Sequence, residues 1–278
     1  MGRREELQAA LKRQRRSKMP LREQLVERIE IIGERIELDE SNRDLFREVW
    51  EGLSIPRIHL KPVEGECWVA PEDGGTIVIK ALIQLEGQPI GIIQRRLVLG
   101  RRIALHELLF LGPTVRGQGV SVALLLASFA LYDRLELREV QLQAAMETGR
   151  WYWARVGFEF IRDEDARLVR DWAAEVIEAI EIRGLRIDRY TAAGQFARMG
   201  GRRKLSLERI AEAMPSKAGM VEKIAAANNL PLKRRIELGR AVMITGPAWF
   251  GRLDLSGPER AAFNAYAAAK MARIKEQD

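Results

Sequence analysis

The feature that most limits the fold of this 278-residue chain is a series of short apolar segments between residues 57 and 111. Turn-forming residues separate the segments, as at Gly87-Gln88-Pro89 and Gly100-Arg101. Short runs of β-branched and aliphatic residues with such breaks are typical of neighbouring antiparallel strands. The predicted strands are Arg57–Val63, Glu66–Ala70, Thr76–Leu85, Ile90–Val98 and Ile103–Leu111.

Patterns with the period of a helix precede this series. Apolar residues repeat at three- and four-residue steps from Leu21 to Ile36, which predicts an amphipathic helix that begins after Pro20. Ser41 is placed to cap a second helix, whose apolar residues extend to Leu53.

Helical and extended patterns alternate after the series. The sequence predicts helices over 118–136, Arg150–Val156 and 163–183, with strands at Glu139–Ala144 and Phe158–Ile161. Basic helical pieces follow over 184–240, and Val242–Thr245 and Phe250–Leu255 are predicted to be extended. An Ala-rich helix is predicted over 257–275.

These patterns predict an α/β fold in which a mixed, mostly antiparallel sheet is flanked by helices, with an added helical insertion. The predicted divisions are an N-terminal helical region with a basic arm (1–53), an α/β core (54–162), a basic helical insertion (163–240), and closing strands with a C-terminal helix (241–278).

Composition excludes several classes of protein. Hydrophobic residues make up 47% of the chain, which excludes disorder of the whole chain. The single cysteine, Cys67, forms no internal disulfide, and with only His59 and His106 as histidines we expect no bound metal. The cysteine usage and the lack of a signal-peptide pattern or a long apolar run predict a cytoplasmic protein with no membrane span.

Positive charge is concentrated in two segments, although the formal net charge of the whole chain is +7. Residues 1–18 carry seven basic and two acidic side chains, and residues 184–240 carry 13 and five. The remaining residues are net negative. A localised basic excess favours nucleic acid, an acidic protein or a phosphorylated ligand as partner, and a solvated helix face is the alternative.

Residues 206–229 predict two short helices around Pro215-Ser216, with basic clusters on both sides. This order is typical of a DNA-binding helix-turn-helix, but the glycine expected in the turn is missing. A helical lid or interaction module is the other interpretation.

The segment His106–Leu126, HELLFLGPTVRGQGVSVALLL, carries the clearest chemical signal. A predicted strand leads through Pro113 into the loop Arg116-Gly117-Gln118-Gly119, and an apolar helix follows. Glycine lets the backbone approach a ligand, and a helix start presents free N–H groups at the positive end of its dipole. This order favours binding of a phosphate or pyrophosphate.

Arg116-Gly117-Gln118-Gly119-Val120-Ser121 resembles the acyl-CoA-binding motif of the GNAT acyltransferase superfamily, Arg/Gln-x-x-Gly-x-Gly/Ala. Leu111-Gly112-Pro113 is similar to the family's strand end, and Trp151–Phe158 is similar to its helix-to-strand element, often Tyr-x-x-x-Gly-Phe. The resemblance covers residues 57–161. It implies a GNAT-like fold and an N-acyltransferase that uses acyl-CoA, by default acetyl-CoA, as donor.

The resemblance also implies where the donor binds. The pantetheine arm would lie between the strand that ends at Leu111 and the strand Glu139–Ala144, and loop amides would hold the pyrophosphate. An amine would then attack the thioester directly, with a base for the amine and an acid for the thiolate. The implied donor-binding residues are Leu111, Arg116, Gly117, Gln118, Gly119, Val120 and Ser121.

Glu107 and His106 are the candidate bases. Neighbouring residues of a strand face opposite sides, so at most one of them faces the cleft. The alternatives are a hydrogen-bonded sheet histidine at His106 and, for Glu107, a cross-strand ion pair with Arg95 or Arg96.

The position of the family's usual acid differs in this chain. Trp153 occupies the place of the family's tyrosine, and an indole N–H is no acid at ordinary pH. Tyr152 is the candidate acid, and water is the alternative. Trp151, Trp153 and Glu147 are the candidate acceptor-binding residues, with core packing as the alternative for the aromatic side chains.

Two functions follow from this reading. The first is an acyl-CoA-dependent N-acyltransferase whose amine acceptor is a small molecule, a peptide or a protein. The alternative is a degenerate GNAT fold that serves as a binding or scaffold protein, with the basic segments contacting nucleic acid or an acidic protein.

Overall fold

The computed structural model describes residues 19–39, 43–182 and 238–275. They form a mixed α/β fold with a mostly antiparallel sheet flanked by helices, which confirms the predicted fold class. These residues divide into two compact units. The first unit comprises 19–39, 43–141, 254–256 and 264–275, and the second comprises 142–182, 238–253 and 257–263.

The sheet of the first unit contains the five predicted strands and a short strand, β1 (Ile36–Glu37), in a segment that was predicted to end a helix. The five are β2 (Ile58–Pro62), β3 (Trp68–Ala70), β4 (Thr76–Leu85), β5 (Gln88–Val98) and β6 (Ile103–Leu111). The order is β1-β3-β4-β5-β6, and these neighbours are antiparallel. β2 pairs with the second half of β4, on the same edge as β3.

A crossover helix follows β6. α3 (Val120–Arg134) leads to β7 (Glu139–Ala144), which lies next to β6 in the sheet. The N–H of Arg138 donates to the carbonyl oxygen of Arg102 at 2.8 Å, so β7 begins beside the start of β6 and runs in the same direction. The loop between β6 and α3 therefore leaves the sheet at the carboxyl end of a parallel strand, the usual place for ligand sites in α/β sheets.

Two further helices bury apolar side chains in the core of the first unit. They are α1 (Leu21–Ile32) and α2 (Arg47–Leu53), and a 3₁₀ turn at Arg43–Phe46 precedes α2. Gly52 of α2 lies against α3, because an added Cβ would be 2.8 Å from Leu131 Cδ1. α1 ends at Gly33, whose φ is +69°, so Ile36 lies in β1 and not in the helix as predicted.

Cys67 precedes β3 and is fully buried in the first unit. Its thiol lies 3.0 Å from the carbonyl oxygen of Lys80, and its Sγ accepts the Lys80 N–H at 3.3 Å. Burial raises the pKa of the Cys67 thiol above its ordinary value of 9.0. The thiol is therefore protonated at neutral pH and is part of the contact between β3 and β4.

The second unit takes in the end of β7 and six further elements: α4 (Glu147–Arg155), β8 (Glu159–Phe160), α5 (Asp163–Ile182), α6 (Leu238–Thr245), β9 (Trp249–Asp254) and the first turns of α7 (Pro258–Lys275). Its strand order is β7-β9-β8, with β8 antiparallel to β9. The buried Asp165 of α5 accepts the N–H of Phe250 at 2.9 Å, which ties the start of α5 to β9.

One element differs in type from its prediction. Val242–Thr245, predicted to be extended, forms the last half of α6. A short apolar run is compatible with either state, and tertiary contacts decide between them. Val242 and Met243 are buried, and Arg150 donates to carbonyl groups at the end of the helix.

Several predictions concern residues outside the described ranges. They are the basic arm over 1–18, the cap at Ser41, and the larger part of the insertion, over 183–237, which includes the helix-turn-helix pattern at 206–229. Within the ranges that the structure describes, no helix combines the length and apolar character of a membrane span.

Candidate functional site

The loop between β6 and α3 adopts backbone conformations that favour glycine. After Gly112, a 3₁₀ turn spans Pro113–Val115. Gly117 has φ +85° and Gly119, the N-cap of α3, has φ +81°. Both lie in the left-handed region, which other residues adopt only with strain. The glycines of the motif are therefore required by the turn into the helix.

The long side chains of this loop bond within the loop. Arg116 Nε donates to the carbonyl oxygen of Leu111 at 3.0 Å, and Gln118 Nε2 donates to that of Thr114 at 2.8 Å. An added Cβ on Gly117 would meet no atom within 4 Å. The side chains thus brace the loop, and the backbone at Gly117 borders open space.

α3 offers unpaired N–H groups to this loop. The first N–H groups of an α-helix have no intrahelical acceptor, and they lie at the positive end of the dipole. The carbonyl oxygen of Gly119 already accepts the N–H of Ala123 at 2.9 Å, so the N–H groups of Val120, Ser121 and Val122 belong to this set. The first turn of α3 contains no acidic residue that would oppose an anion.

β6 contains a β-bulge at its centre. Gln94 of β5 pairs with Leu108, whereas the next residue, Arg95, pairs with His106. Glu107 is the extra residue of the register. His106 is buried and Glu107 is exposed, so the two candidate bases face opposite sides of the sheet, as predicted.

Two side chains of β5 hold the Glu107 carboxylate. Its Oε2 accepts a hydrogen bond from Gln94 Nε2 at 2.6 Å, and its Oε1 lies 2.7 Å from Arg96 Nη2. The predicted ion pair therefore forms with Arg96 and not with Arg95. The side chains of Glu107 and Arg96 are 25% and 41% exposed, so both remain accessible to a ligand.

His106 lies in the core of the first unit. Its Nε2 is 2.9 Å from the hydroxyl oxygen of Tyr132 in α3. Burial, and then the charge of Arg95, hold the pKa of His106 well below its ordinary value of 6.5. Burial also raises the pKa of Tyr132. The structure thus places His106 as a neutral, hydrogen-bonded sheet histidine, the alternative that the sequence left open.

Arg95 is a residue whose importance the sequence reasoning missed. It is fully buried, and its Nη1 donates to the carbonyl oxygens of Gln94 and Leu108 at 2.8 and 2.7 Å. These carbonyl groups flank the bulge, so the guanidinium supports it from the interior. The available signal was a charge at an inward position of β5, between the buried Ile93 and Leu97.

In the second unit, α4 carries the aromatic residues of the motif. Trp153 is buried and packs edge-on against Phe158, with ring centroids 5.4 Å apart. The ring of Tyr152 lies 5.0 Å from that of Trp153, and the Tyr152 hydroxyl oxygen is buried. Gly157 has φ +99°, which allows the turn from α4 to β8. Trp153 is therefore part of the core of this unit.

Trp151 is half-buried between two guanidinium groups. The Cζ atoms of Arg155 and Arg240 lie 5.1 and 4.7 Å from the ring centroid. A cation over an indole ring is stabilised by about 0.5–1 kcal/mol at partly exposed sites. The ring thus contacts two cations of the second unit.

Arg150 is a second residue that the sequence reasoning missed. Its guanidinium donates to the carbonyl oxygens of Met243 at 3.1 Å, Ala145 at 3.0 Å and Ile244. Two of these carbonyls end α6, where a cation is favoured by the helix dipole. Nothing in the local sequence of α4 indicates this partner, because α6 begins far along the chain.

The predicted site residues fall in both units. The loop, Glu107 and His106 belong to the first unit, whereas Tyr152, Trp151 and Trp153 belong to the second. Glu147 is the first residue of α4, and its side chain lies outside the described part of the chain.

Comparison with known proteins gives two similar solved structures. No family model and no curated protein matches the chain. One of the two solved structures is a probable acetyltransferase, which is 24% identical in sequence and gives a TM-score of 0.28. The match covers 31% of this chain and 50% of the acetyltransferase chain, so this chain spans half the length of that protein. A nourseothricin acetyltransferase is 13% identical with a TM-score of 0.28, over 46% of this chain and 83% of its own.

Proposed function

We propose that this protein is an N-acyltransferase that moves an acyl group, by default acetyl, from CoA to an amine. The observation that carries the proposal is the loop Arg116–Gly119, between the carboxyl end of β6 and the N-terminus of α3. Its sequence resembles the GNAT acyl-CoA motif. Its left-handed glycines and the free N–H groups of the helix start fit a pyrophosphate.

The residues of the loop divide the work of donor binding in this proposal. The N–H groups of Gly119, Val120 and Ser121 bind the pyrophosphate. The N–H of Gln118, which the resemblance also implies as a donor, already donates to the carbonyl oxygen of Val115 at 3.4 Å. The side chains of Arg116 and Gln118 hold the loop in shape through their bonds to Leu111 and Thr114, and Gly117 leaves room for the ligand.

Glu107 is the proposed base. Its carboxylate accepts the proton of the amine as the nitrogen attacks the thioester carbon. The C–N bond forms, the C–S bond breaks, and the thiolate leaves with the electron pair and is protonated by Tyr152 or by water. His106 holds β6 against α3 through Tyr132, and takes no part as a base because its ring is buried in the core and its pKa, held well below 6.5, makes it a weak base.

Trp151, Trp153 and Glu147 remain the proposed acceptor-binding residues. The support for Trp151 is its half-exposed ring, and the support for Trp153 is limited to its neighbourhood with Tyr152.

Calorimetric titration with CoA, followed by release of free thiol from acetyl-CoA in the presence of amines, tests the proposal. We expect saturable CoA binding and amine-dependent thiol release. Absence of binding at millimolar CoA would rule out the transferase, and the alternative of a binding or scaffold protein would then be tested by gel shifts at increasing salt.

A matched pair of variants separates binding from chemistry. Glu107→Gln should lower turnover by about 10²- to 10⁴-fold and leave CoA affinity unchanged, because the carboxylate acts as base. Glu86→Gln is the control, since Glu86 also forms an exposed ion pair, with Arg57, at the turn between β4 and β5.

A further inference from the structure

The carboxylate of Glu107, the proposed base, already forms an ion pair with Arg96. One oxygen of Glu107 is 2.7 Å from the guanidinium of Arg96, and the other accepts a hydrogen bond from Gln94. A carboxylate in this state has no unbalanced charge with which to attract a simple ammonium ion. An acceptor whose amine binds Glu107 must therefore also carry a negatively charged group that pairs with Arg96.

The neighbouring charges do not change this balance. Lys80 faces the same side of the sheet, because it pairs with Gln94 in the register of β4 and β5. Its ammonium group lies 2.6 Å from Glu66, so it is itself paired. Within the described strands β4, β5 and β6, the accessible charges beside the bulge that are not paired elsewhere are one carboxylate and one guanidinium, in contact with each other.

A zwitterion matches such a pair. If its ammonium group binds Glu107 and its carboxylate binds Arg96, two ion pairs replace one and no charge is left without a partner. A plain amine at Glu107 leaves Arg96 without its carboxylate, which is unfavourable once the ligand excludes water. Because Glu107 and Arg96 touch, the two charged groups of the ligand must lie only a few bonds apart.

We propose that the acceptor is a small zwitterion with a carboxylate next to its reacting amine, as in a free α-amino acid. This inference rests on the proposed transferase function. Arg96 is its specificity-determining residue, because a guanidinium offers a planar pair of donors to a carboxylate. The N–H groups of a peptide N-terminus lack the adjacent carboxylate and fit the site less well.

The test is a competition between two sets of acceptors at equal concentration. The protein is incubated with acetyl-CoA and either the common α-amino acids or their carboxamides, and N-acetylated products are measured by mass spectrometry. We expect at least about tenfold more product from the acids, the size of one charge-assisted hydrogen bond. Equal yields, or a preference for carboxamides, would overturn the inference and leave the transferase intact.

Variants at Arg96 connect the preference to the residue. Arg96→Gln should abolish the preference for acids, Arg96→Lys should keep part of it, and the control Arg57→Gln should keep all of it, because Arg57 pairs with Glu86 at a distant turn. A full preference in Arg96→Gln would contradict the assignment. If neither set is acylated although CoA binds and other amines are acylated, this inference fails and the transferase stands; if no amine of any class is acylated, the transferase proposal fails as well.

Discussion

His106 and Tyr132 join β6 to α3 through a contact of 2.9 Å between the imidazole Nε2 and the phenol oxygen, in the core of the first unit. The guanidinium of Arg95 is buried on the same side of the sheet, opposite His106 in the register. A protonated His106 would place a second positive charge in this interior, so burial and the charge of Arg95 favour the neutral imidazole.

We expect the free energy of unfolding to fall as the pH drops below about 6.5. The pKa of His106 is held well below its ordinary value of 6.5 in the folded chain, so the unfolded chain binds the proton first and acid favours unfolding. This single group contributes a slope of up to about 1.4 kcal/mol per pH unit. Urea denaturation at a series of pH values measures the slope.

The two histidines provide the control for this experiment. His106→Gln should flatten the acid side of the stability profile relative to the wild type. His59→Gln should leave the profile unchanged, because His59 is exposed. An identical slope in His106→Gln and wild type would contradict the assignment.

Gly119→Val should weaken CoA binding by at least about tenfold. Gly119 has φ +81°, and a β-branched residue adopts that conformation at a cost of about 1–2 kcal/mol, so the turn into α3 would change shape. The matched control is Gly87→Val in the turn between β4 and β5, where φ is also +81°. Calorimetry should show normal CoA affinity for Gly87→Val, and equal affinities in both variants would argue against the loop as the binding site.

Tyr152→Phe should lower kcat by about 10²- to 10⁴-fold without a comparable change in the KM for acyl-CoA. The variant removes only the hydroxyl group that is proposed to protonate the thiolate, and it keeps the ring contact with Trp153. Steady-state thiol release measures both constants, with Tyr266→Phe as control. A kcat within about twofold of the wild type would assign the proton to water.

Arg150→Met should reduce the free energy of unfolding by about 1–3 kcal/mol, the range for hydrogen bonds to a charged group. The substitution keeps the aliphatic stem and removes the donors that cap the end of α6. Arg170→Met is the control, since Arg170 bonds only to its neighbour Asp171 among the interactions described for it. Urea denaturation should separate the two variants, and equal stabilities would show that the cap contributes nothing.

The sequence located most elements because their apolar patterns are strong. Thr76–Leu85, Ile103–Leu111 and Glu139–Ala144 were predicted with the bounds that the structure shows. α6 was missed because its short apolar run has no period of its own, and its carbonyl groups are satisfied by Arg150 from a distant helix. Local patterns do not contain such partners.

The candidate site was predictable only in part, because a β-bulge is a property of two strands. From Gly91 opposite Leu111, a regular register would place Arg95 opposite Glu107. The bulge shifts the pairing by one residue, so Arg95 lies opposite His106 and the ion pair of Glu107 forms with Arg96. Both Arg95 and Arg96 were predicted as partners of Glu107, because the strand register that selects Arg96 cannot be read from the sequence of one strand.

Alkylation of Cys67 can report how often the strands of the first unit separate. It is the single cysteine of the chain, and its sulfur is enclosed between β3 and the backbone of Lys80. An alkylating reagent reaches the sulfur only when these strands part, so the rate of modification measures how often they do. The experiment needs no label or substitution, because mass spectrometry detects the alkylated natural chain. Comparing the modification rates with and without an acyl-CoA gives the increase in the free energy of opening that ligand binding causes.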